Sequence, residues 1–395
     1  MNAEQENIYY SRASQIVNIL KGLAIWMVVT YHFFQSITVN AYLELLADCM
    51  QLGCQIFFTL SCFTLCLSYS KKKPSYLQYV KHRILKLFLA FYVMIIFGVI
   101  WRVSFALKSG SSVMEAINFP GLIVNALFLN GLVPDYIIHN FIVRGGWFIG
   151  TLFILYLIFP ILYKVFNLNN EKWKKHKIYL FPTLIILTSL IILALLYLVF
   201  GFGNYFFFVY TSFINQICAF VFGFVIFHLY QTVKIKQIKF PFLKALLCAA
   251  LSIVIFIKFP LARIVVVMTL IGLATLYAFT FLFNNAFIKD NLESEIVLQF
   301  LAKSGKISLG IYYTHSYLVW EFTQKVTQLI FKIDNNPHIL VKAMVGIIVF
   351  VLCYWVGKIF NVLVNLANDY LIPLINKFLE KHFKVFREEA NAQQQ

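Results

Sequence analysis

The feature that most constrains this chain is a series of ten apolar stretches that can cross a lipid bilayer, the shortest of them extended by snorkelling Lys residues at its ends. Because the hydrocarbon core of a bilayer is about 30 Å thick, a spanning helix needs about 20 mostly apolar residues. The stretches cover residues 16–37, 50–69, 84–107, 147–166, 178–201, 205–230, 243–257, 264–288, 307–330 and 339–366. Only 12% of the 395 residues are charged, whereas soluble domains have about 25%. The sequence therefore predicts an all-α polytopic membrane protein with about ten transmembrane helices. It excludes a disordered chain, a secreted disulfide scaffold and an ordinary cytosolic enzyme.

The positions of Lys and Arg predict the orientation of the spans. With the N-terminus inside, the inner segments contain 20 of these residues and the outer segments contain 5. Cytoplasmic loops of membrane proteins carry such an excess of positive charge. The chain is therefore predicted to lie N-in and C-in, as a multi-pass protein of the plasma or inner cell membrane. Its formal net charge of +17 is explained by the inner face, so we expect the lipid bilayer and no nucleic acid as a partner.

One further apolar segment, 118–133, is not counted as a span. It contains Pro, Gly and Asn residues, and counting it would move the Lys-rich loop 167–177 to the outer side. We expect a re-entrant or interfacial segment, which membranes tolerate where protein covers the backbone. The predicted organisation is a cytosolic N-terminus (1–15), a transmembrane domain (16–366) and a cytosolic tail with an interfacial amphipathic helix (367–395).

Ionisable residues inside spans are costly, so each is a functional candidate. Lys21 and His32 are eleven positions apart, about three helical turns, and so project from one face about 16 Å apart. Lys21 would attract an anionic group from the inside, and His32 would accept a proton. The alternative is a snorkelling Lys and a packing His. Glu321 either pairs with Lys325 one turn further on, or reaches His32 and orients it.

The third span opens with a basic cluster that includes Arg83 and Lys86. The two residues are three positions apart and share a helix face, where two cations could bind the phosphates of a cytosolic ligand. The alternative is an ordinary positive flank at the membrane surface.

The remaining candidates are polar or aromatic residues that could contact a substrate. The outer segment 134–147 is typical of an acceptor-binding lip, although a plain polar loop is equally consistent with it. The candidate substrate-binding residues are Asp135, His139, Arg144, Trp147, Tyr312 and His315. The seven cysteines lack CxxC spacing, so we expect no metal site. Cys49 and Cys54 could form a disulfide or remain thiols.

Five segments, in order, resemble the integral-membrane acyltransferase family of type 3, whose members acylate cell-envelope glycans and related acceptors. ILKGLAIWMVVTYHFF is similar to its first helix, with a basic residue, ten intervening residues and His. FFTLSCFTLCLS is similar to its FF-x-x-SG motif, and HRILKLFLAFY to its R-x-x-R region. GGWFIGTLFILYLIFPIL and KISLGIYYTHSYLV are similar to two later helices. The resemblance covers about residues 12–325. It implies a cytosolic acyl-CoA donor, donor binding by Lys21, Arg83 and Lys86, and catalysis by His32.

The chain departs from the family pattern at several points. Cys62 stands where the family usually has Gly. Lys86 replaces the second Arg, which keeps the charge but loses bidentate phosphate geometry. The segment WFIGTLFILY contains no acidic residue. Without an appended esterase-like domain, the chain resembles the stand-alone branch.

The resemblance implies an acyl-CoA-dependent O-acyltransferase. An acyl group, with acetyl the commonest in the family, would move to a hydroxyl of an extracytoplasmic glycan or lipid-linked sugar, without a tightly bound cofactor. Transfer could be direct or pass through an acyl-His or acyl-Cys. One alternative is a polysaccharide or small-molecule transporter, since the chain is polytopic with intramembrane Lys, His and Glu. Another is a structural or sensing partner, which leaves the spacing of Lys21 and His32 unexplained.

Overall fold

The computed structural model describes an all-helical chain. The described residues are 3–37, 41–72, 74–133, 142–166, 171–200, 209–286, 288, 294–323, 325, 326, 329 and 339–382, and they contain no strand. The α-helices are α1 (Ala3–Ser36), α2 (Ala41–Met50), α3 (Gly53–Lys72), α4 (Tyr76–Ser109), α5 (Val113–Ile117), α6 (Phe119–Ala126), α7 (Gly146–Val165), α8 (Glu171–Phe200), α9 (Phe213–Phe220), α10 (Phe222–Gln231), α11 (Pro241–Lys258), α12 (Val265–Asn284), α13 (Ile296–Lys306), α14 (Ser308–Tyr317) and α15 (Ile339–His382).

Nine stretches of the described residues are helical, long and apolar enough to cross a membrane. They confirm the predicted class of protein. They correspond to nine of the ten predicted spans. In the tenth, 307–330, the turn at Ile307 is followed by helix from Ser308 to Thr323, which passes through a π-helical segment at Leu318–Phe322. π-helical turns inside α-helices are frequent at functional sites.

The helices divide into a buried group and a lipid-facing group. The apolar windows of Phe213–Gln231 and Leu43–Lys71 are 83% and 78% buried inside the protein, whereas that of Pro241–Lys258 is only 11% buried. Helix α1 belongs to the buried group and packs on α3, α13 and α14. The lipid-facing helices are stable because lipid solvates their apolar surface. Polar groups are costly in lipid, so they are sheltered within the buried group of helices.

The predicted re-entrant or interfacial segment, 118–133, consists of short elements and not of a spanning helix. Helix α6 has only eight residues and is followed by a 3-10 turn at Leu129–Gly131 that packs on α7. The side chains of Asn125 and Asn130 are buried and hydrogen-bonded to each other at 3.1 Å. The amide groups of Asn125 and Asn130 thus donate hydrogen bonds within the protein, to Gly121 and Asn125 respectively, while the buried side-chain oxygen of Asn130 has no partner among the described residues.

A close crossing fixes α1 against α13. A Cβ atom on Gly305 would lie 1.8 Å from the carbonyl oxygen of Asn18, and one on Gly22 would lie 2.0 Å from that of Leu301. Only glycine permits this approach, because both opposing atoms are backbone. The crossing brings Lys21 in the middle of α1 and Lys306 at the end of α13 to the same cavity.

The last helix, α15, runs without a break through the predicted boundary at 366. Its 44 residues extend about 66 Å at 1.5 Å per residue, about twice the hydrocarbon thickness. The cytosolic location of residues 367–395 stays a prediction, and 383–395 lie outside the described residues. All seven cysteines are free thiols, including Cys49 and Cys54.

Candidate active site

Two histidines from distant parts of the chain meet in the buried group of helices. The rings of His32 on α1 and His315 on α14 have centroids 5.2 Å apart and are tilted by 40°. His315 is 1% exposed. Sequence reasoning singled out both residues but gave them separate roles, so their contact is a finding of the structure.

The hydrogen bonds of His315 determine which ring nitrogen carries its proton. Its Nδ1 lies 2.6 Å from the carbonyl oxygen of Tyr312 and 3.2 Å from that of Ile311. A carbonyl oxygen only accepts, so Nδ1 of neutral His315 is the donor and Nε2 holds the lone pair. That Nε2 is buried and has no hydrogen-bond partner among the described residues.

A short chain of hydrogen bonds orients His32 in the same way. The amide nitrogen of Gln35 donates to the hydroxyl of Tyr31 at 2.7 Å. The amide oxygen of Gln35 lies 3.2 Å from Nδ1 of His32 and accepts its proton. The lone pair of neutral His32 is therefore on Nε2, as a general base requires. Gln35 was missed from sequence, although its spacing of three from His32 places it on a neighbouring helical position.

A cavity of about 470 Å³ lies on the predicted inner side of the histidine pair. It brings together three residues that the sequence predicted separately: Lys21, Arg83 and Tyr312. Ser308, at the start of α14, also lines it. With Lys306, three cations line this cavity, which favours an anionic ligand.

Arg83 is fixed by the helices around it. Its Nη2 donates to Oγ of Ser68 at 2.7 Å, and its guanidinium lies 5.5 Å from the ring centroid of Tyr79 and 6.0 Å from that of Tyr156. Its Nε is buried and has no hydrogen-bond partner in the part of the chain that is described. The guanidinium is thus oriented in advance and retains donors for a ligand.

The same cavity has a row of amide side chains that sequence reasoning missed. Asn361, Asn365 and Asn368 on α15 all line it, together with Asn18 and Lys306. Spacings of four and three place the three α15 residues on one face of a helix. That row of Asn in an apolar helix was the signal that could have found them.

A second pocket, of about 330 Å³, lies on the predicted outer side. Arg144 and Glu321 both line it and form an ion pair at 3.4 Å. Glu321 therefore pairs with neither of the two partners considered from sequence, Lys325 or His32. Trp101, Arg102, Glu115 and Tyr317 also line this pocket.

Two tyrosine hydroxyls of α14 donate hydrogen bonds to the backbone segment 142–145. The Tyr312 hydroxyl donates to the carbonyl oxygen of Gly145 at 2.7 Å, and the Tyr317 hydroxyl donates to that of Ile142 at 3.4 Å. Tyr312 lines the inner cavity, whereas Ile142 and Tyr317 line the outer pocket. Helix α14 thus reaches both spaces, with His315 between them.

The comparisons with known proteins agree with this architecture. A family model described as an acyltransferase domain, Acyl_transf_3, matches residues 15–357. The chain belongs to the acyltransferase 3 family. No curated protein and no solved structure matches it.

Family membership makes this chain a multi-pass membrane acyltransferase. It confirms the resemblance drawn from the five sequence segments and favours it over the transporter and structural alternatives. The described residues of this acyltransferase contain no group of three or more His, Cys, Asp or Glu side chains that could hold a metal ion.

One departure from the family pattern has a structural explanation in this acyltransferase. Cys62 on α3 is fully buried and faces Gly223 on α10, where an added Cβ atom would lie 2.4 Å from Cβ of Cys62. Gly223 therefore leaves room for the side chain of Cys62, so α3 and α10 can pack closely without a glycine at position 62.

Among the described predicted site residues, His32, His315 and Trp147 line neither cavity. Trp147 packs between Tyr210 and Phe58, with ring centroids 5.7 and 6.5 Å away. Asp135, His139 and the side chain of Lys86 lie outside the described residues, so their roles stay predictions.

Proposed function

We propose that this acyltransferase moves an acyl group from cytosolic acyl-CoA to a hydroxyl of an extracytoplasmic glycan or lipid-linked sugar. The observation that carries this proposal is the order of residues along α14, where His315 lies between residues that line the inner cavity and residues that line the outer pocket. A donor and an acceptor on opposite membrane faces need this arrangement, because the reacting atoms must meet inside the protein.

Positions along α14 and its π-helical continuation support the route. Ser308 and Tyr312 line the inner cavity, and Tyr317 and Glu321 line the outer pocket. His315 lies about 10 Å along the axis from Ser308 and about 9 Å from Glu321, at 1.5 Å per residue. Each cavity is therefore within about two helical turns of the pair.

The charges of the inner cavity suit the donor. Acyl-CoA carries phosphates at one end and the thioester at the end of a long, narrow arm. Arg83 can offer planar donors to phosphate, and Lys21 adds a second positive charge. The thioester would then extend toward Tyr312 and His32.

The outer pocket suits a sugar. It combines the rings of Trp101 and Tyr317, which can stack on a sugar face, with hydrogen-bonding groups of Arg144 and Glu321. Ligand sites typically combine an apolar wall with a few polar groups that fix orientation.

In the proposed reaction, His32 acts as the general base. The proton of the acceptor hydroxyl moves to Nε2 of His32, and the hydroxyl oxygen bonds to the thioester carbonyl carbon. The carbon–sulfur bond then breaks, and the proton passes from His32 to the CoA thiolate. The products are an ester and free CoA, and His32 returns to its starting state.

The test follows labelled acetyl groups from acetyl-CoA into the envelope fraction of membranes that contain the native chain. His32→Ala is compared at matched expression, with His382→Ala at the exposed end of α15 as the control. We expect label in envelope glycan, its loss with His32→Ala and its retention with His382→Ala. Equal label with His32→Ala would remove His32 from the mechanism.

If a panel of acyl-CoAs gives no label above empty membranes, the proposed donor is wrong. Movement of a glycan across the membrane without dependence on CoA would instead favour the transporter alternative.

A further inference from the structure

We propose that the rings of Phe57, Phe148 and Tyr312 limit the length of the acyl group that this acyltransferase accepts. This inference rests on the proposed function, because it takes the inner cavity as the site of the donor. It adds the residues that exclude longer acyl chains, and it predicts a short acyl group such as acetyl.

The three rings form a layer, called here the ring layer, across one end of the inner cavity. Phe57 and Phe148 are the first residues of α3 and α7 that line the cavity, and Tyr312 is the last of α14. The ring centroid of Phe148 lies 5.9 Å from that of Phe57 and 4.8 Å from that of Tyr312. The centroid of Tyr312 is also 5.5 Å from that of His315. The ring layer therefore closes the cavity on the side of the histidine pair.

The ring layer is held in place by the core behind it. Its three residues, Phe57, Phe148 and Tyr312, are 7%, 4% and 5% exposed. Phe58, which is fully buried, has its ring centroid 4.8 Å from that of Phe148, and the Tyr312 hydroxyl donates to the carbonyl oxygen of Gly145. Protein interiors are packed as densely as organic crystals. An acyl chain that extended past the ring layer would therefore have to displace a buried ring.

Arg83 marks the opposite end of the cavity. Its guanidinium donates to Ser68, which follows Phe57 by eleven residues on α3. It also lies beside the ring of Tyr156, which follows Phe148 by eight residues on α7. At 1.5 Å per residue, the cation and the ring layer are therefore about 12–16 Å apart along the helices.

The length of the donor matches this separation. The arm between the phosphate oxygen and the sulfur of acyl-CoA has about as many bonds as four residues of extended backbone, which is a length of about 14 Å. A donor whose phosphates lie at Arg83 therefore places its thioester next to the ring layer. Little space remains for carbon atoms beyond the carbonyl, so a short acyl group fits and a long one does not.

The experiment measures kcat/KM of the purified protein for acetyl-CoA and hexanoyl-CoA, with the envelope glycan fraction as the acceptor. One methylene too many in an apolar pocket lowers kcat/KM by about 10- to 200-fold, so the native protein should prefer acetyl-CoA by at least about 100-fold. Phe148→Ala removes the central ring of the layer. It should raise the ratio of kcat/KM for hexanoyl-CoA to that for acetyl-CoA by at least about tenfold.

Leu87→Ala is the matched control. Leu87 is a buried residue that lines the same cavity, one helical turn after Arg83 on α4, and its truncation enlarges the end that is remote from the acyl group. The hexanoyl to acetyl ratio of this variant should stay at the native value. Thermal unfolding in detergent checks the fold of each variant. Should Phe148→Ala fail to fold, Phe57→Leu replaces it, and a rise of the ratio in the same direction is required.

The inference is overturned if the native protein uses hexanoyl-CoA as well as acetyl-CoA, or if the ring-layer variant leaves the ratio unchanged. An equal rise in Leu87→Ala overturns it too, because the total volume of the cavity would then set the length of the acyl group. A native chain that transfers no acyl group from any acyl-CoA overturns the proposed function and this inference together. An active native chain without the expected preference overturns this inference alone.

Discussion

Replacing Arg83 by Gln tests the donor cavity at the residue whose geometry is best defined. The substitution removes the charge and the guanidinium donors while leaving a shorter polar side chain. Ser68 loses the hydrogen bond at 2.7 Å but keeps the one that its hydroxyl donates to Leu65. We therefore expect the fold to survive, with a loss of about 1 kcal/mol or less from the contacts to Tyr79 and Tyr156.

The expected effect on donor binding follows from the strength of charged hydrogen bonds. A hydrogen bond to a charged group contributes about 1.5–3 kcal/mol, and each 1.4 kcal/mol is a factor of about ten in affinity. Arg83→Gln should therefore weaken CoA binding by about 10- to 100-fold. The CoA affinity of Arg83→Lys should lie between those of the native protein and Arg83→Gln, because Lys keeps the charge but lacks the planar set of donors.

The assay is equilibrium binding of CoA and of pantetheine to purified protein. Pantetheine lacks the phosphates, so its affinity should not change with Arg83→Gln. Lys81→Gln is the matched control: it removes one charge from the same helix, and Lys81 is not among the described residues that line the cavity. Unchanged CoA binding in Arg83→Gln would refute the reasoning. An equal loss in Lys81→Gln would show that only the general charge of the inner face matters.

Three further predictions concern other parts of the molecule. Gly305→Ala should lower the free energy of unfolding by about 1–3 kcal/mol, because its Cβ would meet the carbonyl oxygen of Asn18. The measurement is the thermal unfolding temperature in detergent, and an unchanged temperature would contradict the close crossing. Asn365→Leu should raise the Kd for pantetheine as well as for CoA, since an amide can serve the arm of the donor; a normal Kd for pantetheine would exclude this role. Glu321→Gln should change the free energy of unfolding by less than about 1 kcal/mol, because the ion pair with Arg144 is partly exposed. In the acyl transfer assay it should raise the KM for the envelope glycan fraction. A glycan KM equal to that of the native protein would count against the outer pocket.

The sequence was most informative where the argument depended on a single helix. The lengths of the apolar runs predicted the class of protein, and the composition of 118–133 predicted that it is not a span. The spacing of Lys21 and His32 also predicted a polar route along α1; Lys21 lines the inner cavity, whereas His32 lines neither cavity, so the route stays a prediction. The predictions of the spans succeed because every span of a membrane requires a similar number of apolar residues.

The sequence was least informative where two helices had to meet. It offered Lys325 or His32 as the partner of Glu321, and the structure gives Arg144, 177 positions away. It named Trp147 as a candidate substrate contact, and only the structure shows that its ring packs against those of Phe58 and Tyr210. It predicted a span from 307 but gave no sign of the π-helical segment at Leu318–Phe322 within it.

The sequence by itself determined that this chain is a helical, multi-pass membrane protein with a basic first helix that carries His32. Only the tertiary structure decided that His32 meets His315, that Arg83 and Lys21 share one cavity, and that a second pocket lies beyond the pair. The physical reason is that lipid favours any apolar helix alike, so hydropathy predicts the spans without predicting their neighbours. Neighbours are selected by close packing, as at Gly305, and by the need to satisfy polar groups inside the protein.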